Sequence, residues 1–205
     1  ETLGAGGYID RAEKKGAQVT IVVVTDGNKH GLKVIRHQEE VKAVALLGVH
    51  EDQIIFLDYP DGQLRQFKDD FTLKLDQIMV DFGPTVVLGT HPADIHPDHA
   101  VVGEVIDATT GKLIHKPLLY QFLVHYHRYP RPEGFHPISY LLPPVKLIST
   151  DNPWQKFTLT NEEQNDKNEA VLQYKTQLAH KNPFLRGLLF SFVRRNELYV
   201  IVRPQ

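Results

Sequence analysis

Between residues 91 and 99 the sequence reads HPADIHPDH, three histidines and two aspartates in nine positions. Imidazoles and carboxylates are the side chains that hold divalent cations and pass protons, so this stretch is where chemistry is expected. Pro97 suits the first position of a helix, where its missing N–H costs nothing. His96 is then the N-cap, and Asp98 and His99 fall in the first turn. A helix start favours anions, so His99 stays neutral there and offers a ring nitrogen to a cation. Asp94 and Asp98 can orient imidazoles through the other ring nitrogen. Taken singly, each residue has an ordinary explanation as a cap, a complement to the helix dipole or a solvated loop residue. Five polar groups at one strand-to-helix junction exceed what capping needs. A catalytic zinc takes about three protein ligands and a water. His99 supplies one, His96 need not face the same point, and the others must come from another strand end.

The elements that would position this cluster follow from hydrophobic periodicity. GAGG (Gly4 to Gly7) reads as a loop feeding a helix that Gly16 closes. Gln18 to Val24 is a continuous β-branched run, a strand buried on both faces as in a parallel sheet. A helix over VIRHQEEVKAVALLGV carries Val34, Val41, Val44 and Ala45 on one face. QIIFLDY is a strand ending in a PDG turn, where Asp61 is by default a turn residue. A helix from about Gln66 to Asp81 turns Phe71, Leu73, Leu75 and Ile78 inward, and Thr85 to His91 form the next strand. After the helix from Pro97 to Thr110, Pro117 to Tyr126 form a strand whose end carries His125, His127 and Arg128. There an exposed loop histidine is the ordinary reading, and substrate contact by these residues the less favoured one. Residues 127–144 are rich in Pro, Arg and aromatics without a period, a long loop or lid. VKLIST reads as a short strand, Thr160 with Glu163 as a capping box, and RGLLFSFVRRNELYVIV as a helix turning into a strand.

Alternating strands and helices predict an α/β fold, a Rossmann-like doubly wound, mostly parallel sheet with helices on both faces. One domain over residues 1–205 is expected, since neither linker nor repeat interrupts the chain. Ligands bind such sheets outside the carboxyl ends of the strands. Here those ends are TDG, DYPDG, THPADIHPDH and HYHR, so the polar chemistry gathers on one edge. A nucleotide-binding reading is weak, because GAGG lacks the G-x-G-x-x-G spacing.

Bulk composition narrows the function classes. Hydrophobic residues make up 41% and charged residues 23%, with a formal net charge of −2. No basic surface points to nucleic acid or an anionic membrane, and no apolar run reaches the roughly 20 residues of a membrane span. Without cysteine, any metal must be held by His and carboxylate. The cytoplasm is the default location, and self-association into a homo-oligomer is left open. The chain begins ETLGAGG with no initiator Met and no strand leading into the glycines. It is therefore expected to be N-terminally truncated.

Four separated motifs, ETLGAGG, GAQVTIVVVTDG, RHQEEVKAVALLGV and HPADIHPDHA, together resemble the LmbE-like, or PIG-L, N-acetylglucosaminyl deacetylases over residues 1 to about 105. RRNELYV near the C-terminus is a looser echo. Members of that family open with His-Pro-Asp-Asp-Glu, of which this sequence holds the closing glutamate as Glu1. The resemblance implies that the general base and two of three ligands for Zn2+, or another divalent metal, lie upstream of Glu1. It implies His99 as the third ligand, His96 as the catalytic residue at the oxyanion or leaving amine, and Asp98 as the catalytic aspartate that orients a histidine. It matches Arg36 to a substrate-pocket arginine and, more loosely, places Glu1, Gly6, Gly7, Asp61 and Asp94 at the substrate. The implied reaction removes the N-acetyl group of an N-acetylglucosamine-type sugar or sugar conjugate. Alternatives are an amidase on a thiol-sugar conjugate, or an inactive sugar-binding module if the upstream ligands are absent.

Overall fold

The computed structural model describes residues 1–28, 31–150, 153–179 and 181–202. Helices α1 (Thr2–Lys14), α2 (Lys33–Ala45), α3 (Lys68–Phe82) and α4 (Pro97–Thr110) alternate with strands β1 (Ile21–Thr25), β2 (Ile54–Tyr59), β3 (Val86–Thr90) and β4 (Leu118–Phe122). The C-terminal part adds β5 (Trp154–Thr158), α5 (Asn161–Val171), α6 (Lys175–Leu178), α7 (Pro183–Phe190) and β6 (Asn196–Val202). One core gathers Ala5 of α1, Val44 of α2, Val171 of α5 and Leu189 of α7 against Phe122 and Leu198. A second core packs Phe71 and Leu75 of α3 with Val101 and Val105 of α4 on Tyr59 and Leu119. Two cores on one set of strands are the signature of an α/β layer covered on both faces.

β1 and β2 pair in parallel, and so do β3 and β4. β6 then runs antiparallel to both β4 and β5, giving the order β3-β4-β6-β5. The parallel expectation therefore holds for the first four strands and is reversed by the last two. Between the two pieces of sheet lies a slot of about 440 Å³. Its walls are residues 21–25 of β1 and 86–90 of β3. Ala5, Tyr8 and Ile9 of α1 close one side, and Leu75, Met79, Val102 and Ile106 of α3 and α4 the other.

Several local expectations are corrected. Gly4 to Gly7 are not a loop but lie inside α1, which Glu1 caps through its own carboxylate onto the Thr2 N–H at 3.0 Å. An ideal Cβ on Gly4 would meet Phe122 at 2.1 Å, and one on Gly7 would meet Leu159 at 2.4 Å, so close packing explains these glycines. In α2 the buried face holds Glu39, Glu40, Ala43 and Val44 instead of Val34 and Ala45, which are exposed. Leu73 of α3 points to solvent, and Met79 takes the core position. VKLIST is a single 3-10 turn at Val145–Leu147, and the strand follows later as β5. β1 is half-buried along most of its length because it borders the slot.

The stretch 127–144 is tied down and is not a free lid. Arg194, fully buried, donates to the carbonyls of Ser191, Pro132 and His136. Asn196 accepts from the Leu141 N–H at 2.7 Å and donates to its carbonyl at 3.2 Å. The Gly134 N–H donates to Ser191 Oγ at 2.7 Å.

Candidate active site

α4 is brought hard against the end of β3 because Gly103 has no side chain. A Cβ there would stand 2.6 Å from both the Pro92 nitrogen and the Thr90 carbonyl oxygen. Thr90 Oγ1 donates to the His99 carbonyl at 2.6 Å, which hooks the first turn of the helix to the strand. Pro97 occupies the start of α4, with His96 at the N-cap as the sequence predicts.

Carboxylates then knit the strand ends together through backbone N–H groups. Asp94, its side chain sealed from solvent, accepts from the N–H of His96 through Oδ1 and from those of Val124 and His125 through Oδ2, each at 2.9 Å. Asp98, also buried, accepts from Gly62 at 2.7 Å and Leu64 at 3.0 Å, fixing the turn after β2. Asp26 accepts from Asn28 at 3.0 Å and Asp61 at 3.1 Å, joining that turn to the end of β1. Backbone donors in low dielectric make such anchors stiff.

Three imidazoles gather on this frame. The ring centroids of His96 and His99 are 4.6 Å apart, and His125 stands 5.6 Å from the first and 5.2 Å from the second. His99 Nδ1 approaches Asp94 Oδ2 at 3.4 Å, long for a hydrogen bond but short enough to turn the ring. Burial pushes the Asp94 carboxyl up, yet His99 and the backbone donors outweigh it and hold the group below the usual carboxylate range. Burial lowers His96, and the nearby His99 lowers it further. His125 is driven down to about 4, first by burial and then by His99. The His96 and His125 rings are therefore neutral at pH 7 and free to serve as bases or ligands.

Some buried polar atoms make no hydrogen bond, both here and elsewhere in the fold, as at Glu40 Oε1 and Thr109 Oγ1. Among the described residues these include His96 Nδ1, His99 Nδ1 and Arg36 Nε. One group of three ligand atoms lies within 4.8 Å of one another, from Asp61, His96 and Asp98. His99 is outside that group and instead lines the slot, together with Glu1, Thr25, Thr90 and Asp98.

The sequence-derived candidates thus divide. His96, Asp98, His99 and Asp61 converge, with Asp94 directly behind them. Asp94 itself is enclosed, with no surface left for a substrate, so it orients the site and does not contact a ligand. Arg36 lies over Gly27 at the end of β1, its Nε unpartnered. Glu1 reaches the slot, but its carboxylate is engaged by Thr2 N–H and the Tyr174 hydroxyl at 3.2 Å. Gly6 and Gly7 sit on the far side of α1 against Lys167 and Leu159, away from the imidazoles, and their substrate role is not supported. His91, counted in the opening cluster, instead accepts from the Ala93 N–H at 3.0 Å and stacks on Trp154. His125 is the residue that strand-end reasoning undervalued. Its signal was only its position, level with the His-rich turn on the neighbouring strand.

Histidines and aspartates thus gather at the carboxyl edge of an α/β sheet, where ligands of such folds bind. The comparisons agree. The family model for GlcNAc-PI de-N-acetylase (PIG-L) matches residues 1–110, more than half of the sequence, and the chain belongs to that family. No curated protein matches it closely in sequence. Among solved structures it is similar to N,N'-diacetylchitobiose deacetylase from Pyrococcus horikoshii, at 22% identity and TM-score 0.64, over 98% of this chain and 79% of that one. It is also similar to the A40926 pseudoaglycone deacetylase, at 17% identity and TM-score 0.73, over 100% and 93% of the two chains. A third is the zinc-inhibited form of teicoplanin deacetylase, at 15% identity and TM-score 0.73, over 100% and 94%. At these identities the likeness establishes the fold. Among the described residues no helix is long and apolar enough to cross a membrane.

Proposed function

We propose that the protein is a metal-dependent N-deacetylase that hydrolyses the acetamide of an N-acetylglucosamine-type sugar. The observation that carries this is the pair of adjacent imidazoles, His99 lining the slot and His96 4.6 Å from it with a buried Nδ1 that has no hydrogen-bond partner. Family membership supports the reaction class.

The donor set fits a divalent cation, since nitrogen and carboxylate oxygen suit zinc and its neighbours. His99 would hold it, its ring oriented by Asp94. Asp98 is a poorer ligand than its place in the Asp61–His96–Asp98 group suggests, because both its oxygens already accept backbone N–H groups. The remaining ligands and the general base would come from residues upstream of Glu1, for which the slot between β1 and β3 beside α1 leaves room. A strand entering there would bring its carboxyl end to the edge of the sheet that carries His99. Backbone groups of β1 and β3 facing the slot would gain partners at the same time. A divalent ion supplies Lewis acidity, polarising the acetamide carbonyl and making water a nucleophile near neutral pH.

This chain's own residues do the rest. His96, held by its backbone N–H to Asp94 Oδ1, is placed to donate a ring N–H hydrogen bond to the developing oxyanion, while the proton that the departing amine needs comes from the attacking water by way of the general base. Asp98 keeps the Asp61 turn closed against it, and Arg36 of α2, packed over Gly27 after β1, would bind substrate oxygens. Acetate and the free amino sugar are the products.

The test uses the protein extended by the residues encoded before Glu1, loaded in turn with Zn2+, Co2+ and Mn2+, because one relative has a zinc-inhibited form. Acetate release from N-acetylglucosamine and metal per chain are measured together. His99→Ala is expected to lose both metal and turnover, whereas His96→Ala keeps the metal and loses roughly 10²-fold or more in kcat. Full turnover by His99→Ala removes the assignment.

A further inference from the structure

The deacetylase reading uses two of the three imidazoles and leaves His125 without a task. Its position is fixed, not accidental. The His125 N–H donates to Asp94 Oδ2 at 2.9 Å, and its carbonyl accepts from the Ile95 N–H at 3.0 Å. The carboxylate that turns His99 therefore also sets His125, and the ring completes a triangle with the other two. Among the described residues no hydrogen bond uses either of its ring nitrogens. Neither nitrogen is among the sealed atoms that lack a partner, so both are reachable from the site. His91 shows the contrast, with its ring stacked and its Nδ1 occupied. Like His99, His125 lies outside the group of ligand atoms within 4.8 Å of one another.

An imidazole whose two ring nitrogens are both unengaged can hydrogen-bond a sugar hydroxyl, which itself both donates and accepts. We propose that His125 is a substrate-binding residue that hydrogen-bonds a hydroxyl of the N-acetylated sugar, so that the site prefers a carbohydrate acetamide to a plain one. The inference rests on the deacetylase reading and adds the group that recognises the sugar. A contact already made in the ground state affects binding more than turnover.

The experiment compares wild type, His125→Ala and His125→Asn in the extended, metal-loaded protein, with N-acetylglucosamine and hydroxyl-free N-methylacetamide as probes. Metal content, Kd by calorimetry, and KM and kcat are read for each. His125→Ala is expected to keep its metal, to raise Kd and KM for N-acetylglucosamine about tenfold, and to hold kcat within about twofold. Binding of N-methylacetamide stays as in wild type, and His125→Asn regains part of the loss because its amide keeps a donor and an acceptor. Unchanged Kd, loss of metal, or an equal loss against N-methylacetamide overturns the proposal. A wild type that binds and cleaves the sugar while His125→Ala behaves identically sinks this inference alone. A wild type that neither binds nor cleaves it removes the deacetylase reading as well.

Discussion

Two polar clusters lie on this sheet, and they treat their hydrogen bonds in opposite ways. Glu197 of β6 is buried, and its carboxylate accepts from the Gly7 and Tyr8 N–H groups, the Lys167 ammonium and the Tyr199 hydroxyl, at 2.7–2.9 Å. Its Lys167 partner is equally enclosed. At the carboxyl edge, by contrast, His96 Nδ1, His99 Nδ1 and Arg36 Nε are buried without partners. An unmet buried donor or acceptor costs about 1–3 kcal/mol, whereas both oxygens of Glu197 are engaged. The lesson is that burial of charge does not identify function.

That contrast can be broken by mutation. The largest effect is expected at Glu197→Gln, which strands the Lys167 ammonium in the core and should destabilise the fold by about 3–5 kcal/mol. Deacetylation by the folded fraction should stay within about twofold of wild type, and chemical denaturation alongside kinetics checks both parts. A large loss of kcat in still-folded protein would show that this cluster is not purely structural.

Gly103→Ala comes next, at up to about 3 kcal/mol, because a methyl group would press on the Thr90 and Pro92 backbone at the root of the site. Unlike Glu197→Gln it should also weaken metal binding, since α4 carries His99. Equal metal affinity in Gly103→Ala and wild type would mean that the site tolerates movement of α4.

Asp94→Asn should lower metal affinity by about 10- to 100-fold, the usual cost of losing the group that orients a liganding histidine. Titration with Co2+ reads this directly, and unaltered affinity would show that Asp94 serves only the backbone it bonds.

The smallest effect belongs to the seam between α1 and α5. There Arg11 Nε and Nη2 donate to Glu163 at 2.5 and 2.6 Å. The hydrogen bond from Arg11 holds Glu163 below its ordinary value against the opposing push of burial. A carboxyl lowered by folding contributes stability that is present above its unfolded pKa and lost as pH falls through the folded one. Wild type should therefore lose stability on acidification below about pH 4.5, the unfolded value. Glu163→Gln should be weaker by about 2 kcal/mol at pH 7, and the difference should shrink in acid. A difference that persists unchanged at pH 2 would assign the effect to packing.

Much of the fold was legible in short-range signals. Pro97 behind His96 marked the start of α4, Thr160 with Glu163 marked α5 by a capping box that forms as expected, and the β-branched run marked β1. Such signals act within one turn or one strand. The misreadings arose where a distant contact decided the outcome. Gly4 to Gly7 look like a loop because glycine disfavours helix, but Phe122 and Leu159 press so closely on α1 that no side chain would fit. Glu39 and Glu40 look solvent-facing, yet the Thr176 N–H and the Tyr174 hydroxyl, more than 130 positions away, receive them. β5 alternates too weakly to announce itself and exists because β6 pairs with it.

The site divides in the same manner. By itself the sequence determined the donor chemistry, histidine and aspartate at a strand-to-helix junction without cysteine, because ligand type is a property of side chains. It also determined the edge of the sheet where those donors gather, because strand direction follows from the alternation of elements. Only the tertiary structure decided that Asp94 faces inward, that His91 turns away, that His125 joins His96 and His99, and that a strand-wide slot opens beside them. Those outcomes depend on backbone groups of residues 124 and 125 meeting a carboxylate thirty positions earlier, and no local pattern encodes that distance.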